Sequence, residues 1–178
     1  MRSIVMVLLL TVCSSAFARD TVSYAHAKSL LAWNHVCDQS SSACWLEKLV
    51  TFKSKAGVEQ GGVAIAYDRK MERPQFIAVI VPGDVPLNSN LLIRFLDSVK
   101  INGAWTLVPV GDFVSLPLSG CDKSSCQAQI HPQVPGGPDL FKQIRKRRFA
   151  WVMFKRNGAL ERFMVPLSGV DDALRSIQ

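Results

Sequence analysis

Beyond residue 29 this chain never sustains an apolar run long enough for a buried helix. Its apolar residues come in short stretches, at 31–37, 44–52, 62–67, 76–81, 91–96, 105–110, 113–118, 126–130, 149–154 and 160–165. Turn-forming residues fall between them: Gly61-Gly62, Pro82-Gly83-Asp84, Asn102-Gly103, Gly111-Asp112, Pro135-Gly136-Gly137-Pro138 and Asn157-Gly158. Strand-length runs at this spacing predict an all-β sandwich or barrel. Asn157-Gly158, set between two clean runs, predicts a hairpin whose tight turn needs positive φ, and Asn102-Gly103 predicts a second.

Two stretches read as short peripheral helices. One is 138–147, opened by a proline in the first turn. The other is 168–177, where Ser168 can cap and Asp171 and Asp172 favour the first turn. Neither sets up a βαβ rhythm, and no internal repeat, heptad or low-complexity tract is present.

The N-terminus bounds the compartment. Arg2, an apolar core at 4–12 and the small-x-small site Ala16-Phe17-Ala18 have the layout of a cleavable secretory signal, cut after Ala18. The core is far short of the ~20 residues that span a bilayer, and Arg19 and Asp20 follow at once. The rival reading, a lipoprotein modified at Cys13, is weakened by Val12, which stands where a small residue is expected. The expected organisation is a leader at 1–18, a loose polar arm at 19–29 and one domain at 30–178, a size suited to a single core.

Loss of Cys13 with the leader leaves Cys37, Cys44, Cys121 and Cys126, an even set that suits an oxidising compartment. Three connectivities are open. The sequence-local pairs, Cys37 with Cys44 and Cys121 with Cys126, close short loops that collide most often during oxidation. Each would contribute only about 2 kcal/mol by loop-entropy bookkeeping, a staple rather than the source of the fold. One long-range bridge between sheets is the competing picture.

The formal charge of +7, lowered by one when Arg2 is removed, favours anionic partners, including lipid head groups, polysaccharides and nucleic acid. Export makes nucleic acid an unexpected partner. The densest charge is Arg145-Lys146-Arg147-Arg148, preceded by Lys142 and followed after one strand by Lys155 and Arg156. This is a candidate anion-binding patch. The competing account is a solvated helix end that collects cations for dipole reasons.

Catalytic and metal motifs are scarce. Gly-x-Ser-x-Gly, Ser-x-x-Lys, Gly-rich phosphate loops, His-Glu-x-x-His and Cys-x-x-Cys are all missing. His26, His35 and His131 have no carboxylate or second histidine at a useful spacing and read as loop or strand-edge residues. A zinc site from Cys121, Cys126 and His131 has a permitted spacing, but exported thiols oxidise. No metal and no cofactor are expected. Trp33, Trp45, Trp105 and Trp151 all fall within or beside strand-like runs, so core or sheet packing is their simplest role, with Trp33 and Trp45 packing near the first disulfide.

Several features together resemble the invasion-associated locus B proteins, exported proteins of Gram-negative bacteria. They are Trp33 before Cys37, Cys44 opening a strand, the apolar strand 76–82 ending in proline, and 91–97 ending in aspartate. The segments Cys121-Asp122-Lys123-Ser124-Ser125-Cys126-Gln127-Ala128 and Val165-Pro166-Leu167-Ser168-Gly169-Val170, with Ala173-Leu174, match best. The chain departs from the family at Pro82-Gly83-Asp84 and Gly169-Val170, both turn or packing positions. The resemblance covers about residues 30 to 175 and implies an immunoglobulin-like β-sandwich, a periplasmic or envelope location and no established catalytic site. The family takes its name from host-cell invasion, a role that a fold-level match does not carry to every relative.

The expectation is a non-enzymatic envelope interaction protein that binds an envelope or host protein, a glycan or an anionic surface. One alternative is an envelope-polymer hydrolase using two carboxylates drawn from Asp84, Asp97, Asp112 and Asp122. The other is a passive structural component.

Overall fold

The computed structural model describes residues 32–37 and 42–177. The expected leader, its cleavage site after Ala18, Cys13, the 19–29 arm and His26 lie outside the described residues.

Among the described residues two antiparallel sheets pack face to face as a sandwich with two short helices. The larger sheet runs β1 (Asn34–Cys37), β2 (Ala43–Ser54), β3 (Gly57–Asp68) and β4 (Arg73–Pro82) as a meander. It continues from β4 to β8 (Ser125–Ile130) and ends on the two-residue β7 (Gly120–Cys121). The smaller sheet has the order β10 (Ala159–Pro166), β9 (Phe149–Arg156), β5 (Asn90–Ile101) and β6 (Ala104–Pro117). Helix α1 (Gly137–Lys146) joins β8 to β9, and α2 (Val170–Ser176) follows β10.

Period-two alternation decides which residues enter the core. Val63, Ile65 and Tyr67 of β3, Leu91, Ile93 and Phe95 of β5, and Ala150, Val152 and Phe154 of β9 all point between the sheets and are buried. Each large apolar side chain so removed from water contributes roughly 1.5–3 kcal/mol. Toward one end, Phe52 stacks on Phe163 with centroids 4.7 Å apart, and Phe154 meets Phe52 edge-on at 6.3 Å.

Both Asn-Gly turns form as predicted. Asn157 and Gly158 have φ of 50° and 75°, and Asn102 and Gly103 have 49° and 83°, the left-handed pairs that a two-residue hairpin turn requires. Two other glycine signals mean something different from the expected turns. Gly61 and Gly62 lie inside β3, because a Cβ at Gly61 would sit 2.5 Å from the Phe163 ring and one at Gly62 2.1 Å from the Lys48 carbonyl oxygen. Gly111 is a bulge. Ile93 pairs Val114 and Phe95 pairs Val110, so three residues of β6 face Arg94 alone, and Gly111 takes φ +69° to absorb them. The runs 105–110 and 113–118 are therefore one strand.

Ser168 does not cap α2. Gly169 holds the N-cap position at φ 86° without a side-chain bond, and the Ser168 carbonyl instead accepts a hydrogen bond from Trp33 Nε1 at 3.2 Å. The disulfides are Cys37–Cys44 and Cys121–Cys126. Each joins residues directly opposite in an antiparallel pair, β1 with β2 and β7 with β8, so each staples two strands of one sheet.

Candidate functional site

Helix α1 places the basic cluster. Pro138 occupies the first turn, Asp139 complements the N-terminus, and Arg145 and Lys146 lie in the last turn where the dipole favours cations. Leu140 and Ile144 are buried, which turns Lys142, Arg145 and Lys146 outward. An open groove of about 350 Å³ runs along this exposed side, lined by Pro138, Phe141, Lys142, Arg145, Lys146 and Asp171.

The five cations are not equivalent. Arg145 is paired with Asp171 of α2. Arg147, half-buried, donates from Nε to Gln143 Oε1 at 2.8 Å and from Nη1 to Asp97 Oδ2 at 2.7 Å. Arg148 donates to the hydroxyl of Ser98 at 3.0 Å, a neutral partner that leaves its charge uncompensated. Lys142, Lys146 and Arg148 are exposed and take part in no ion pair among the described residues. The exposed charge at this end is thus narrower than the cluster read from sequence.

Arg156 leaves the basic surface altogether. It is 2 % exposed, at the position after Val152 and Phe154 on the inward face of β9. Its guanidinium binds Glu59 through two bonds of 2.6 and 2.7 Å, Glu161 at 3.2 and 2.7 Å, and Asp84 at 2.8 Å. Bonding to Glu59 above all, and to Glu161 and Asp84, pushes the Arg156 pKa up, and the same bond from Arg156 pulls the Glu59 pKa down. The alternation Ala150, Val152, Phe154, Arg156 is the sequence signal that would have found this.

The carboxylates considered for hydrolysis are engaged separately. Asp84 is held by Arg156 and Asp97 by Arg147. Asp122 accepts from the backbone N–H and hydroxyl groups of Ser124 and Ser125 in its own turn, which lowers its pKa. Asp112 sits exposed at the β6 bulge. Among the described residues Asp84 converges with Glu59 and Glu161, and the group is organised around the Arg156 guanidinium, whose bonds hold the Glu59 carboxyl below its ordinary range.

Cys121 and Cys126 are joined to each other, so neither offers a thiolate to a metal, and His131 turns its Nδ1 to the Gln75 carbonyl at 3.1 Å. His35 is exposed on β1. A second buried cation, Lys48, was not anticipated: it donates to the Ala32 carbonyl at 2.7 Å, and burial pushes its pKa down.

The tryptophans divide. Trp33 is buried as expected, and Trp45 packs edge-on against Phe76 at 5.2 Å. On the outer face of the smaller sheet Arg162 lies over Trp151 at 5.0 Å and Arg94 over Phe113 at 4.6 Å. Trp105 departs from the packing role and is 66 % exposed.

No protein-family model matches the chain, and no curated protein or solved structure shows significant similarity to it. Fold and site define a disulfide-stapled, two-sheet antiparallel sandwich with a cationic helix end.

Proposed function

We propose that this chain is an exported, non-catalytic interaction protein of the bacterial envelope, of the invasion-associated locus B type, that engages an anionic partner through the end of α1. One observation carries the reading. Acidic groups already occupy Arg145, Arg147 and Arg156, while Lys142, Lys146 and Arg148 stand exposed at one end with no acidic partner among the described residues. Two disulfides fit a periplasmic or secreted location, where such bonds persist. Carboxylates tied to arginines or to their own turns favour binding over hydrolysis.

The test is binding to a sulfated polysaccharide and to anionic vesicles. Affinity is expected to fall steeply as salt rises through ~0.15 M, where the Debye length is ~8 Å. The triple change Lys142→Ser, Lys146→Ser and Arg148→Ser is expected to abolish it. A protein that binds no polyanion at low salt would overturn the reading.

A further inference from the structure

Strand β9 pairs β5 only as far as Leu96, opposite Phe149, whereas β5 and β6 continue together from Asp97↔Val108 to Ile101↔Ala104. The hairpin therefore runs on as a two-stranded ribbon, roughly 16 Å past its last neighbour at ~3.3 Å per residue. Every residue from 99 to 107 is exposed. The side chains there are not those of a solvated turn: Trp105 is 66 % exposed, Ile101 47 %, Val99 40 % and Leu107 37 %. From Ser98 to Val110 the only charge is Lys100.

The cations of the α1 end meet the base of this ribbon. Arg148 bonds Ser98, and Arg147 bonds Asp97. Opposed residues share a face, so Lys100 with Trp105 and Ser98 with Leu107 lie on one side of the ribbon. Arg148, Lys100, Trp105 and Leu107 thus line up along it, with Val99 and Ile101 behind. Asp112, at the bulge, is the nearest acid in sequence that takes part in no ion pair among the described residues.

An exposed apolar tip with an aromatic, backed by lysine and arginine, is the pattern that favours the boundary of an anionic bilayer. The geometry points to the ribbon 97–110 as a membrane-docking arm. Trp105, Ile101 and Val99 enter the interfacial layer of an anionic lipid surface while Lys100, Lys146 and Arg148 contact head groups. This rests on the anionic-partner reading above and names the partner as lipid. Insertion is shallow, because the ribbon edges carry unpaired backbone N–H and C=O groups that hydrocarbon does not tolerate. The interfacial layer is ~5–10 Å deep, well within the reach of the arm.

The test uses the whole chain with mixed phosphatidylglycerol and phosphatidylcholine vesicles, with pure phosphatidylcholine vesicles, and with sulfated polysaccharide. Brominated acyl chains are expected to quench tryptophan emission on the anionic vesicles only, and Trp105→Phe should remove most of that quenching. Trp105→Ser should weaken vesicle partition by about tenfold or more, from the apolar area lost, with an unchanged melting temperature and unchanged polysaccharide binding. Because the readout is specific to Trp105, an apolar leader left on the chain does not imitate it. Vesicle binding with quenching that Trp105→Phe leaves intact overturns the arm but not the anionic patch, as does polysaccharide binding without any vesicle binding. Absence of both overturns the patch as well. A dimer that Trp105→Ser dissociates would assign the ribbon to a second copy of the chain and overturn the lipid arm.

Discussion

Arg156 and Glu59 meet end-on across the sandwich, Nη1 donating to Oε1 at 2.6 Å and Nη2 to Oε2 at 2.7 Å. One residue belongs to the smaller sheet and the other to the larger, so this fork, with Glu161 and Asp84 closing on the same guanidinium, ties the two layers together at the Phe154 end. Breaking a buried pair strands charges without partners. Arg156→Ala is expected to lower unfolding stability by about 3–5 kcal/mol in a urea titration. Arg156→Lys should recover only part of it, since an ammonium cannot reproduce the two-pronged geometry. Asp84→Asn, at the exposed rim of the group, should cost no more than ~1 kcal/mol. A near-neutral Arg156→Ala would refute the role of this fork in holding the sheets together.

The same fork sets a pH dependence. Because Arg156 holds the Glu59 pKa below its ordinary value, the ionised carboxylate is favoured in the fold. The stability it contributes is fully present above the unfolded-state pKa of ~4.3. It is lost as pH falls through the lower folded-state value. Asp68, held low by Ser42 and by the backbone of Met71 and Lys70, and Asp122, held low by Ser124 and Ser125, act with the same sign. Melting temperature is expected to be flat near neutrality and to drop below about pH 4. Glu59→Gln should start lower at pH 7 and lose less on acidification. Equal slopes for the two proteins would show that Glu59 is not the group responsible.

A third expectation concerns the close approach of β3 to β2. A methyl group at Gly62 would lie 2.1 Å from the Lys48 carbonyl oxygen, a backbone atom that moves only if the sheet moves. Gly62→Ala is expected to destabilise by about 3 kcal/mol, at the upper end of typical overpacking costs. A methyl group at Gly120 would meet nothing within 4 Å, so Gly120→Ala should stay within ~0.5 kcal/mol. Thermal melts of the two variants decide it, and equal shifts would remove the steric explanation.

These residues also mark where the sequence stops being readable. Asn157-Gly158 and Asn102-Gly103 specified their hairpins because two adjacent left-handed residues between apolar runs have few other uses. The short cysteine loops matched the observed pairs because cross-strand neighbours at a hairpin end are also neighbours in sequence. Gly61-Gly62 and Gly111 look the same in sequence but serve packing and a bulge, and only the facing strand distinguishes these from a turn. Arg156 looked like surface charge beside Lys155, although alternation from Ala150 placed it inward; its acids come from β3, β10 and the turn after β4, distances that local patterns do not span. Trp105 looked like core because the run 105–110 is apolar, and nothing within that run records that β9 begins only at Phe149, opposite Leu96, and does not extend along the ribbon.

The last expectation separates two neighbouring arginines. Arg147 is half-buried and bonded to Asp97 and Gln143, so its charge is largely spent within the protein, whereas among the described residues Arg148 meets a hydroxyl and no acid, and Lys146 is exposed without an ion pair. A two-partner, partly buried pair of this kind contributes about 1 kcal/mol, and unpaired surface residues contribute within ~0.5 kcal/mol. Arg147→Ser should therefore lower the melting temperature while barely changing retention on a sulfated-polysaccharide column. The double change Lys146→Ser with Arg148→Ser should do the reverse, leaving the melt unchanged and eluting at clearly lower salt. The contrast matters because a helix end that merely satisfies its own dipole would treat all these cations alike. If Arg147→Ser lost as much retention as the double change, with its melt intact, the Arg147–Asp97 pair would have to open on binding, and the division of the cluster into structural and ligand-facing cations would fail.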